Sequence, residues 1–162
     1  MKLKFVFLQI FLAAMGLSAL ESNFAGQNDV TWHILGTNEN DSMPIGNGDL
    51  AANVWTEQNG DLVLLVAKAD AWTELGKLVK LGRVRIQWNP NPFAGATNFT
   101  QVLRLENGSI ELKSGESTAR IWVDANHPAI HVETHLDHPG TFRANLELWR
   151  TTHPFPGSSP DK

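Results

Sequence analysis

The chain of 162 residues contains no cysteine and no tyrosine. Without cysteine there are no disulfides, and lipid attachment to a cysteine after an export signal is excluded. Charge of one sign is also missing. Lys/Arg and Asp/Glu are scattered, the formal net charge is −4, and no basic stripe marks a nucleic-acid footprint. After the first two dozen residues no apolar run is long enough to span a bilayer. Composition therefore predicts neither nucleic acid nor a membrane span.

Residues 1–22 read as a signal peptide. Lys2 and Lys4 supply the positive start, and Phe5 to Leu17 is an apolar run too short to cross a membrane. Gly16, Ser18 and Ala19 are the small residues a signal peptidase takes, with cleavage expected after Ser18 or Ala19. The expected location is secreted or periplasmic. A mature part of this size buries about two-thirds of its unfolded surface as one domain, so its core alone must hold it.

Hydrophobic alternation has a period of two almost throughout. Leu50, Ala52 and Val54 alternate with Ala51, Asn53 and Trp55; Val84, Ile86 and Trp88 alternate with Arg83, Arg85 and Gln87. Leu62 to Ala67 is apolar on both faces and predicts a central strand. Leu103 and Leu105 lead into Glu106-Asn107-Gly108-Ser109, and Ile110 and Leu112 return, a hairpin signal. Ile121 and Val123, then Ile130 to Leu136, then Phe142 to Leu148 complete the series. The pattern predicts an all-β fold, an antiparallel β-sandwich of about seven to nine strands over residues 23–150. Asp70 to Leu81 fits either a short helix or a long loop. Residues 151–162, with three prolines, a glycine and serines, read as a linker or a truncated continuation.

Six tryptophans, at 32, 55, 72, 88, 122 and 149, invite a sugar reading, because a flat apolar ring matches the C–H face of a pyranose. Partial burial is the commoner fate of any one of them. Gly46-Asn47-Gly48-Asp49-Leu50-Ala51 fits a dinucleotide fingerprint on paper, but a strand rather than a helix follows, so it reads as a turn. His131, Glu133, His135 and Asp137 share one strand face, which reads as solvated polar surface rather than as a zinc site. No G-x-S-x-G supports a serine nucleophile. The sequons at Asn40, Asn98 and Asn107 matter only in a eukaryotic secretory pathway.

Asp70-Ala71-Trp72-Thr73-Glu74 sets one aromatic between two carboxylates, the composition of a sugar subsite. The plainer alternative is that Asp70 caps a helix and Glu74 is solvated. Trp72, Asp70 and Glu74, with Asn47 from the double-glycine turn, are the candidate substrate-binding residues. No catalytic residue, metal ligand or cofactor is expected.

Ser42-Met43-Pro44-Ile45-Gly46-Asn47-Gly48-Asp49, with Asn53-Val54-Trp55, resembles the opening of a secreted bacterial family, the domain of unknown function 5703. The likeness continues through Leu78 to Arg85, Asn91-Pro92-Phe93, Ile121 to Pro128 and Glu147-Leu148-Trp149-Arg150. The same opening is similar, more distantly, to the inverting α-L-fucosidases of glycoside hydrolase family ninety-five. There a β-sandwich precedes an (α/α)6 barrel. That resemblance implies a C-terminal catalytic domain as partner, holding the catalytic acid and base, and a carbohydrate ligand. Of the Leu-Trp-Ser-Gly element near the fucosidase domain interface, only Trp72 is shared. The expected role is to pack against the barrel and shape its sugar site, the chain alone being inactive. The alternatives are a freestanding carbohydrate-binding module and a structural domain without ligand.

Overall fold

The structure, a computed structural model, describes residues 26–148. The signal-peptide and linker readings, and Trp149, lie outside them. The described residues form ten strands in two five-stranded antiparallel sheets, a β-sandwich. The first sheet has the order β1-β6-β7-β8-β9, with β1 Val30–Trp32, β6 Thr100–Arg104, β7 Ser109–Ser114, β8 Ser117–Val123 and β9 Ile130–His135. The second has the order β10-β5-β4-β3-β2, with β10 Thr141–Glu147, β5 Leu78–Asn89, β4 Leu62–Trp72, β3 Leu50–Thr56 and β2 Met43–Gly46.

The period-two alternation becomes the two faces of each sheet. From the second sheet Met43, Ile45, Ala52, Val54, Leu62, Leu64, Ile86 and Trp88 point inward. From the first, Ile110, Leu112, Ala119 and Ile121 meet them, and Phe93 and Phe99 enter from the β5–β6 connection. Phe93 stands edge-on to Trp88 with ring centroids 5.1 Å apart, and edge-on to Phe99 at 6.3 Å. The expected central strand is β4, flanked by β3 and β5.

The ten strands are one more than the upper end of the expected range, and two of them are short. β1 has three residues and β2 contains Pro44, so neither carries a long alternating signal. Asp70 to Leu81 is neither helix nor long loop. β4 and β5 run on past the core, the chain reversing at residues 73–77 with Thr73 N–H to Lys77 O at 2.8 Å. The register slips there, from Val66↔Gly82 to Ala67↔Lys80 to Trp72↔Leu78, and those bulges erase the sequence alternation.

Trp55 is buried although its neighbours Val54 and Thr56 face the core on the opposite side of β3. The loop before β2 covers it. Gly36 donates to Thr56 O at 2.7 Å and lies so close that an added Cβ would stand 3.3 Å from the indole. The 3-10 turn Glu39–Asp41 holds this loop, with Asp41 Oδ2 accepting from Thr37 N–H at 2.7 Å and Thr37 Oγ1 at 2.8 Å.

Phe93 is fully buried between two aromatic rings, on a loop that cannot collapse into the space it fills. Phe93→Ala is expected to cost about 3 to 5 kcal/mol in a urea melt. A cost below about 1 kcal/mol would mean that the loop is not part of the core.

Candidate functional site

The extended β4–β5 hairpin carries three of the four candidate residues. Trp72 is 59% exposed. Its indole N–H donates to Ala69 O at 2.8 Å, so the ring is both outside the core and fixed in orientation. Asp70 is paired with Lys68 at 2.8 Å, and Lys68 also reaches Asp49 at 3.1 Å. Ala69 N–H donates to Asp49 O at 2.8 Å. The hairpin is therefore tied to the turn at residues 47–49. Glu74 lies exposed in the reversal.

The Lys68 ammonium holds the Asp70 carboxyl below the usual carboxylate range, and the pair raises Lys68. At neutral pH Asp70 is an acceptor, not a proton donor. The arrangement can bind hydroxyls beside an apolar ring, but it supplies no acid/base pair.

Asn47 stands on the other side of the same turn, and its amide is used within the chain. Nδ2 donates to Asp124 O at 2.8 Å and His127 O at 3.2 Å. Oδ1 accepts from Asp49 N–H at 3.0 Å and Leu50 N–H at 2.8 Å. The side chain clamps the β2–β3 turn to the β8–β9 turn, one from each sheet. Asp124 is held below its usual range, first by the Asn126 amide and then by the His127 ring at 3.1 Å; the His131 ring stands 3.5 Å from its other oxygen. His131 in turn stacks on Trp122, ring centroids 4.9 Å apart and planes 9° from parallel. Residues 47–49 thus separate two polar clusters, Lys68/Asp70/Trp72 and Asp124/His127/His131.

A third cluster lies on the outer face of the second sheet. Arg85 bridges Glu57 at 2.6 Å, Glu147 at 2.7 Å and Asp61 at 3.2 Å. Arg83 joins Glu147 at 2.6 Å, and Gln87 donates to Asp61 at 2.9 Å. Arg85, then Arg83, hold the Glu147 carboxyl below its usual range. The sequence shows this cluster only as polar residues alternating with Val84, Ile86 and Trp88. That signal marks an outer face but not its partners, which come from the β3–β4 connection and from β10.

Among the described residues, no group of three or more His, Asp or Glu is placed to hold a metal ion, and no helix is long and apolar enough to cross a membrane. His131, Glu133 and His135 do share the outer face of β9, though only His131 reaches a carboxylate.

Residues 31–159 match the family model described as a domain of unknown function (DUF5703). The chain belongs to this family. No curated protein matches it. Every element of the sandwich from Thr31 onward falls within the DUF5703 match, including the hairpin and all three polar clusters.

Asn47→Ala removes four hydrogen bonds at the junction of two turns. It is expected to lower stability by about 2 kcal/mol, since exposed bonds each contribute less than buried ones; an unchanged melting temperature would show that the junction does not need the clamp. Arg85→Gln strips Asp61, whose side chain is only 7% exposed, of its cation and is expected to cost about 2 to 3 kcal/mol. Because the folded Glu147 carboxyl is depressed, its stabilisation is complete above the ordinary value of 4.5 and is lost as pH falls below it. Thermal melts from pH 7 to pH 3 are expected to show a shallower acid loss in Arg85→Gln than in the parent.

Proposed function

We propose that this domain is the N-terminal β-sandwich of a secreted glycoside hydrolase-like protein. In this reading it packs against a catalytic (α/α)6 barrel that is not part of this chain, and lends one wall to the sugar site. The observation that carries the reading is the hairpin tip. Trp72, Leu75, Leu78 and Leu81 are all exposed on an arm that extends beyond the core. Large apolar side chains gathered outside a core mark a surface that meets something else. The fixed indole of Trp72, with ionised Asp70 on the same strand, supplies stacking and a hydroxyl acceptor at that contact.

The same pair of residues supports a second reading, a freestanding carbohydrate-binding module in which Trp72 is the platform. Both readings leave the chemistry to residues elsewhere, because the Lys68 ammonium holds Asp70 ionised as an acceptor.

Trp72→Ala separates a surface role from a structural one. The melting free energy is expected to change by less than about 0.5 kcal/mol. In the full-length protein the KM for its sugar substrate is expected to rise roughly tenfold, the loss of about one stacking contact. A large stability loss with an unchanged KM would assign the ring to the fold instead. The chain alone is expected to turn over no member of a panel of aryl glycosides, α-L-fucoside included. Turnover that vanishes in Glu74→Gln would overturn the reading.

A further inference from the structure

Among the described residues β10 is an open edge strand. It pairs with β5 over seven consecutive residues, Thr141↔Asn89 to Glu147↔Arg83, with no bulge. It contains no proline. The other edge of its sheet, β2, is four residues long and carries Pro44; in the first sheet, edge strand β1 has only three residues, and edge strand β9 exposes the polar side chains of His131, Glu133 and His135 rather than large apolar ones. Proline, brevity, bulges and polar side chains are how sheets protect their edges, and β10 lacks the first three while exposing large apolar groups.

Its side chains do not cover it either. Phe142 and Leu146 are each 64% exposed and Leu148, just beyond the strand, is 54% exposed. They share the face that, one strand inward, becomes the core: Phe142 is opposite Trp88 and Leu146 opposite Val84. Leu146 and Leu148 lie over Gly82, where an added Cβ would meet them at 3.2 and 3.0 Å. On the other face Glu147 is anchored by Arg83 and Arg85. Arg143 forms no ion pair among the described residues.

We infer that two copies of this chain associate through β10, antiparallel about a two-fold axis centred on Asn145, joining their second sheets into one continuous sheet. Symmetry and charge select that register. A two-fold axis perpendicular to the sheet keeps each residue on its own face, so a residue must sit on the axis. With Asn145 there, Arg143 faces the partner's Glu147, opposite charges directly across the ladder. Phe142 then meets the partner's Leu148, and Ala144 meets the partner's Leu146. Centring on Ala144 instead sets Arg143 against Asn145 and Thr141 against Glu147, leaving the cation unpaired. Cross-strand pairs of opposite charge and of large apolar side chains favour the first register.

The lack of cysteine makes a clean test. The full chain is examined by sedimentation equilibrium at about 100 μM, well above a dissociation constant in the micromolar range. A mass twice that of the chain is expected. Asn145→Cys places the two thiols across the axis within disulfide reach, and a covalent dimer should form on mild oxidation. Ala144→Cys, two positions out of register with its own copy, should not cross-link. Phe142→Lys, at a side chain already mostly in water, should give a folded monomer. A parent chain that stays monomeric while Asn145→Cys fails to cross-link overturns the inference. So does association in which Ala144→Cys cross-links and Asn145→Cys does not. A monomer whose β10 amides resist hydrogen exchange would give the edge to a different cover, such as a neighbouring domain, and would overturn it equally.

Discussion

One buried amide fixes how the two sheets lie on each other. Gln101, on β6 of the first sheet, is sealed in the core. Its Nε2 group donates to Val54 O at 3.3 Å, and its Oε1 accepts from Thr56 Oγ1 at 3.1 Å, both on β3 of the second sheet. Apolar burial is non-directional and lets packed sheets slide. A buried amide loses more when left unpaired than an apolar neighbour loses by shifting. In a chain without disulfides this directional link sets the inter-sheet register, and every loop that crosses between the sheets inherits it.

The turn at residues 46–50 shows that inheritance at one end of the sandwich. Gly48 takes a φ of +94°, open to glycine and strained for other residues, so the chain reverses within three residues. That tightness lets Asn47 reach Asp124 O and His127 O across the gap between sheets. It also brings Asp49 beside Lys68 and Ala69 at the root of the hairpin. The most distinctive stretch of the sequence is thus a joint. Its contribution to any ligand site is to orient the Lys68/Asp70/Trp72 surface against the first sheet.

The sandwich was legible because its signal is local: each strand declares its buried face through alternate residues, as Leu50, Ala52 and Val54 do. The break in that pattern at Asp70 to Leu81 was legible too, but its nature was not. A hairpin whose register slips between Val66 and Trp72 loses the period of two, and Ala71, Leu75 and Leu78 then mimic helical spacing. Asn47 was singled out from its motif, but its partners lie 77 and 80 residues away. The Arg85 network has the same character, with Glu57, Asp61 and Glu147 supplied by separate parts of the chain. Long-range pairing of polar groups leaves no periodic trace in one sequence.

The Arg85 network also explains the asymmetry of β10. On its outer face, Glu147 is held by two arginines of β5, and Asn145 donates to Gln87 at 3.2 Å. Those contacts fasten the strand to its sheet without any help from the opposite layer. The inner face can then project past the first sheet and expose Phe142 and Leu146 without the strand peeling away. Exposed apolar groups on an edge ordinarily threaten solubility, and here the polar face supplies the anchorage that the apolar face does not. An edge fastened on one side and bare on the other is built to receive a neighbour.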